Sequence, residues 1–223
     1  MTTPVLAAAA AARAQNIRQR ADRPSQRRCA EQAGARATVR ASLSGVEVRE
    51  TGDGTGLEFL GHASVYEQAY DMWDMFGPYT EIVSAGAGAD SMARADLDVP
   101  LVLGHDQLRR LARTTTGTLV LTEDETGLSV HAPQLDPSDY DVAYIAPKLR
   151  AGLVDEMSFA FRIEAGQWSP DYSEYRISRY DIHRGDVAIV GYGANPYTGA
   201  GLRQAAAPMS SRARALLEIA LAR

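Results

Sequence analysis

Asp155-Glu156-Met157-Ser158-Phe159-Ala160-Phe161-Arg162-Ile163 alternates strictly between large apolar residues and small or polar ones. Met157, Phe159, Phe161 and Ile163 fall on one face, and Ser158, Ala160 and Arg162 on the other. A period of two is the mark of a half-buried β-strand. Ser158 then leaves the strand away from the large side chains, with only Ala160 close by. A small hydroxyl on a rigid strand suits a nucleophile, because the scaffold fixes its position. The same pattern equally describes an ordinary serine on the polar face of an ordinary strand, so the rest of the chain must supply partners.

Outward from this strand, Val142, Ile145 and Leu149 recur at helical spacing between Pro137 and Ala151. Pro147 predicts two short helical pieces or a kink there, with Gly152 as a C-terminal cap. Val46–Arg49, Leu57–Tyr66, Thr80–Val83, Val99–Leu103, Tyr175–Ile182 and Asp186–Tyr192 read as further short strands. Thr118–Thr122 and Leu128–Ala132 form a hairpin around an acidic tip at Glu123-Asp124-Glu125. Asp71–Tyr79 reads as a loop packed over the core, Gly86–Arg94 as a small-residue linker, and Gly166–Tyr172 as a loop holding Trp168. Seven or eight short strands with two or three helices predict a mainly β (α+β) body, a β-barrel-like core with helices around it.

Residues 1–45 differ from the rest of the chain: they are rich in Ala, Arg and Gln and contain no aromatic residue. They read as an N-terminal arm, flexible or helical and outside the main core, because no apolar stripe of useful width is present. Residues 46–203 form the expected body, and 204–223 a C-terminal helical tail capped at Ser210 or Ser211. Residues 1–50 carry nine Arg against four acidic residues, or +5, on a chain whose net charge is -5. A basic arm on an acidic body invites a partner for the arm. The arginines have no aromatics among them to stack bases, which argues against nucleic acid. One cysteine, Cys29, excludes an internal disulfide framework and a thiolate metal site. No apolar run reaches membrane-spanning length, and the opening residues make a poor secretory signal. The chain reads as cytoplasmic.

Serine hydrolysis needs an imidazole to take the hydroxyl proton and a third group to orient that imidazole. The four histidines are His62, His105, His131 and His183. No two have the close spacing of a zinc-binding helix, so neither a metal nor a cofactor is expected. His105 leaves a strongly apolar strand after a glycine, and His62 lies within a strand. Either residue could serve or be structural. Asp106 is too close in sequence to orient His105 and is expected to stabilise the turn. An α/β-hydrolase esterase is excluded by the lack of a Gly-x-Ser-x-Gly elbow.

Gly61-His62-Ala63-Ser64-Val65-Tyr66, Leu101-Val102-Leu103-Gly104-His105-Asp106, Met157-Ser158-Phe159-Ala160-Phe161, Asp186-Val187-Ala188-Ile189-Val190 and Ala194-Asn195-Pro196 follow one another in that order. Together they resemble the prohead (capsid maturation) serine proteases of tailed phages, a family related in fold to the herpesvirus assemblins. The resemblance covers roughly residues 57–200. It implies an assemblin-like antiparallel β-barrel, closed or partly open, with a few helices around it. It also implies an endopeptidase with Ser158 as nucleophile, His105 as general base and Asp186 as the third member, with His183 the competing candidate. Glu is commoner than Asp at the position of Asp186, and Ala160 stands where the family often has Gly. Backbone N–H groups of the Gly191-Tyr192-Gly193-Ala194 loop are the candidate oxyanion donors. Implied substrates are the major capsid protein, its scaffolding segment and the chain itself. The implied setting is an assembling prohead in the host cytoplasm, with self-association into a dimer or larger species. A catalytically inactive capsid scaffolding protein on the same fold is the alternative.

Overall fold

The computed structural model describes residues 4–16, 24, 28–29, 39–42, 47–51 and 56–191. Among these residues are three α-helices, α1 (Pro4–Gln15), α2 (Ala89–Met92) and α3 (Tyr140–Arg150), and a 3-10 turn at Thr114–Thr116. The strands are β1 (Arg28–Cys29), β2 (Val39–Ser42), β3 (Glu47–Glu50), β4 (Leu57–Val65), β5 (Tyr70–Asp74), β6 (Gly77–Val83), β7 (Pro100–Leu103), β8 (Arg110–Arg113), β9 (Val120–Glu123), β10 (Gly127–Leu135), β11 (Glu156–Trp168) and β12 (Glu174–Val190).

The spine is the antiparallel β11–β12 hairpin, paired from Glu156↔Val190 at one end to Trp168↔Tyr175 at the other. β2 extends the sheet beyond β11, while β6 and β7 both join the far side of β12, in parallel. The large sheet runs β1-β5-β6-β12-β11-β2 with β7 and β8 attached through β12, and a second sheet runs β3-β4-β10-β9. Phe59, Leu128 and Val130 from the small sheet and Met157, Phe159, Ile177 and Val187 from the large one share one buried core. Each such side chain, fully buried, contributes roughly 1.5–3 kcal/mol.

The sheet is mixed, and among the described residues neither sheet closes into a barrel. This corrects the antiparallel barrel expected from the sequence. Closure requires the outermost strands to pair with each other, whereas here two separate strands share one side of the long β12. Tyr175–Ile182 and Asp186–Tyr192, read as two strands, are one 17-residue strand with a bulge in the middle. Asp71–Tyr79 is the β5–β6 hairpin rather than a loop, and Gly166–Trp168 is not loop but the end of β11. Burial alternates at the start of β6, where Gly77 and Tyr79 are buried and Pro78 and Thr80 are only partly so, and the Gly-Pro pair at its head reads as a stop in sequence. α3 is one helix despite Pro147; Asp139 caps it by accepting from the Asp141 and Val142 N–H groups, and Gly152 follows with φ 64°.

α1 does not stand outside the core. Ala9, Ala10 and Arg13 form its buried face. The helix lies so close to β6 that a Cβ on Gly77 would sit 2.9 Å from that of Ala9. Arg13 is fully buried, pairing with Asp74 through both carboxylate oxygens and donating to the carbonyls of Gly77, Pro78 and Tyr172. The expected C-terminal tail helix lies outside the described residues.

Candidate active site

Strand register decides which side chains share a face. Ser158 pairs with Ala188 and Ala160 with Asp186, so Ser158 and Asp186 project to the same side. That side carries small residues: Ala160, Ala188 and, through the parallel pairing of Ala188 with Val102, the short branched side chain of β7. The gap they leave admits an imidazole ring. His105 enters it from the end of β7, where Gly104 and His105 both adopt left-handed backbone, with φ of 61° and 62°. Glycine takes this conformation freely, but at His105 it costs of order 1–3 kcal/mol. Hydrogen bonds hold the turn in place, from Gly104 N–H to Ile189 O at 2.9 Å and from Asp106 N–H to Leu103 O at 3.0 Å. Asp106 has the structural role expected of it, accepting from the Leu108 N–H at 2.9 Å.

The ring spans the other two groups. His105 Nδ1 lies 2.6 Å from Asp186 Oδ1, and Nε2 lies 2.8 Å from Ser158 Oγ. Gln107 Nε2 donates to the second Asp186 oxygen at 2.6 Å. A carboxylate accepting at both oxygens makes Nδ1 the donor nitrogen, which leaves Nε2 to accept the Ser158 hydroxyl. The Gln107 backbone is itself tied by Arg110 Nε, which donates to its carbonyl at 2.7 Å. Gln107 was not singled out in the sequence. The one available signal is its place two residues after His105, on the turn that aims the ring.

Asp186 owes its position to a bulge. β12 pairs Asp181 with Arg162 and Asp186 with Ala160, so Ile182–Gly185 loop out opposite Phe161. Bulges re-aim side chains beside active sites. Gly185 is required there because a Cβ would lie 1.8 Å from the Ala160 carbonyl oxygen. Asp181 anchors the bulge, accepting from Ser91 Oγ, the His183 N–H and Arg162 Nη2 at 2.7–2.9 Å. Its burial pushes the carboxyl pKa up, but these donors outweigh burial and the net shift is downward.

The other histidines lie elsewhere. His183 Nδ1 accepts from the Asp98 N–H at 3.3 Å, so Asp186 and not His183 is the residue against His105. His62 pairs with Asp124 at 2.7 Å and His131 with Glu58 at 2.9 Å. Among the described residues, only the His105 pair carries a serine hydroxyl on its second ring nitrogen. Gly191 is exposed at the end of β12, and Tyr192, Gly193 and Ala194 lie outside the described residues. Beside His105 opens a pocket of about 420 Å³ with an apolar floor that includes Leu103, Ile145, Val154 and Ile189. Its rim carries Arg109 and Lys148, the chain's single lysine, whose ammonium lies 3.7 Å from the Tyr144 ring centroid. Ser158 is fully buried and Asp186 3% exposed. Among the described residues no helix is long and apolar enough to cross a membrane, and no group of three or more His, Cys, Asp or Glu could hold a metal.

Hydroxyl, imidazole and carboxylate in this sequence of contacts can carry out proton-assisted nucleophilic attack on an acyl carbon. No curated protein and no solved structure matches the chain. A family model described as caudovirus prohead serine protease matches residues 44–211, three quarters of the length and all of the strands that build the site after β2. The chain therefore belongs to the prohead serine protease family of the tailed phages.

Proposed function

We propose that this protein is an active serine endopeptidase of capsid maturation, with Ser158, His105 and Asp186 as its catalytic residues. The observation that supports it is the bridge made by one imidazole between Ser158 Oγ and Asp186 Oδ1. In the first step Ser158 Oγ attacks the scissile carbonyl carbon while His105 Nε2 takes the hydroxyl proton. Asp186 holds the ring and stabilises the charge it acquires. Collapse of the tetrahedral intermediate breaks the C–N bond, and the same proton passes from Nε2 to the leaving amine. Water, activated by His105, then releases the acyl group and regenerates the hydroxyl. Backbone N–H groups of the Gly191–Ala194 stretch are proposed to stabilise the oxyanion. Gln107 is a positioning residue that keeps Asp186 turned toward the ring.

The substrates are the major capsid protein, its scaffolding segment and the protease's own termini, cut inside the prohead in the host cytoplasm. Residues 1–45 and 204–223 are proposed as arm and tail around the protease body, and self-association as the working state. The test is co-expression of wild type and Ser158→Ala with the cognate head protein, followed by intact mass. Shortened chains with wild type and none with Ser158→Ala are expected. Uncut chains in both, from folded and assembled protein, would overturn the protease and leave a scaffolding protein.

A further inference from the structure

The strand that carries Ser158 has two sides. β12 occupies one along its whole length, and on the other β2 pairs antiparallel over four residues: Glu156↔Ser42, Met157↔Ala41, Ser158↔Arg40 and Phe159↔Val39. Among the described residues β2 is the outermost strand at this end of the sheet. It also lies before residue 44, outside the part of the chain that matches the family. The backbone of Arg40 thus runs directly opposite the nucleophile, at the roughly 4.5–5.5 Å between Cα atoms that antiparallel partners keep. At the same time Ser158 has no exposed surface, although its contacts with His105 are complete.

An endopeptidase must hold several residues of backbone extended past its nucleophile. The side of a strand does this through main-chain hydrogen bonds, which fit any extended sequence and leave side chains to set preference. The side of β11 turned away from β12 at Glu156–Phe159 offers this surface beside Ser158, and the chain's own Val39–Ser42 fills it. We propose that this side of β11 is the docking surface for substrate, an extended peptide added antiparallel to the sheet, and that Val39–Ser42 is its resident occupant. Substrate backbone and β2 compete for one row of N–H and C=O groups. A folded segment cannot be cut, because only an extended one can add to the sheet. The inference rests on the protease reading of Ser158.

The test uses the full chain and the variant Arg40→Pro/Ala41→Pro. Along a terminal strand, alternate residues turn their N–H toward the neighbour, so one of two successive prolines must remove a ladder bond. Ser158 is titrated with a fluorophosphonate: Oγ–P forms, P–F breaks, fluoride leaves and the hydroxyl proton passes to His105. Labelling is followed by intact mass. It is expected to be about tenfold faster in the double-proline variant. A synthetic peptide of residues 36–45 should slow the variant's labelling again, and the same peptide with both prolines should not. Should the proline variant not fold, Arg40→Gly/Ala41→Gly weakens the strand more gently and is expected to accelerate labelling by a smaller factor. Equal rates in wild type and a folded variant, or a peptide without effect, overturn the docking surface and leave the protease intact. No labelling of Ser158 in any folded chain overturns both.

Discussion

Replacing Arg13 by Met tests whether the N-terminal helix is part of the folded body. The Arg13 guanidinium makes two bonds to Asp74, at 2.9 and 3.0 Å, and three to backbone carbonyls at 2.7–3.2 Å. It also lies 5.0 Å from the Trp168 ring centroid and 5.3 Å from that of Tyr79. Asp74 is nearly as buried, and its remaining donors are the N–H groups of Phe76 and Gly77. Met fills similar volume but leaves the carboxylate without a counter-charge, a loss of about 3–5 kcal/mol for a buried pair. For a body of this size that lowers the midpoint of thermal unfolding by about 6–20 °C. If α1 lifts away and water reaches Asp74, the loss is limited to the docking energy of the helix, and amides 4–16 exchange faster. Calorimetry and hydrogen exchange separate the two routes. Adding Asp74→Asn to Arg13→Met should recover at least half of the loss, because the unpaired charge is gone. A midpoint and an exchange pattern both unchanged in Arg13→Met would refute the buried pair.

Three further outcomes are expected. Gln107→Ala removes a bond to a carboxylate that is worth about 1.5–3 kcal/mol, so kcat on the head protein should fall about 10- to 100-fold with KM little changed. Gln107→Glu should be worse near neutral pH, with its deficit against wild type at the same pH narrowing as pH falls, a profile that a purely structural role does not give. Gly185→Ala must push the Ala160 carbonyl away and shift Asp186, costing about 1–3 kcal/mol of stability and slowing cleavage well below the unfolding temperature. Asp181 has its folded pKa lowered, so its contribution is present above the unfolded carboxyl value and is lost as pH falls through the folded one. Below about pH 4 the unfolding midpoint of wild type should therefore fall more steeply than that of Asp181→Asn, and equal slopes would discard the anchor.

The β11 strand was legible because its alternation is local: each side chain's face follows from its neighbours two positions away. The β9–β10 hairpin and the His105 turn were legible for the same reason, through turn residues and a glycine at the end of an apolar run. The pairing of Ser158, His105 and Asp186 came from resemblance, since residues 53 and 28 positions apart declare no contact by pattern alone. Gln107 stayed hidden, because a glutamine on a turn has no periodicity. Arg13 stayed hidden within residues 1–45 for a related reason: only Asp74, the carbonyls of Gly77 and Pro78 and the rings of Tyr79 and Trp168, all distant in sequence, make the burial of an arginine possible.

By itself the sequence determined a mainly β chain, the strand that carries Ser158 and the residue types that serine chemistry needs; it left Ser158 on an open polar face, whereas the side chain is fully buried. Those properties follow from short-range periodicity and composition. Tertiary structure alone decided that the sheets stay open among the described residues, that a bulge at Ile182–Gly185 turns Asp186 to the Ser158 face, and that Val39–Ser42 pairs beside Ser158. Each of these depends on register between distant strands, and register is set by main-chain hydrogen bonds and core packing that no single stretch of sequence contains.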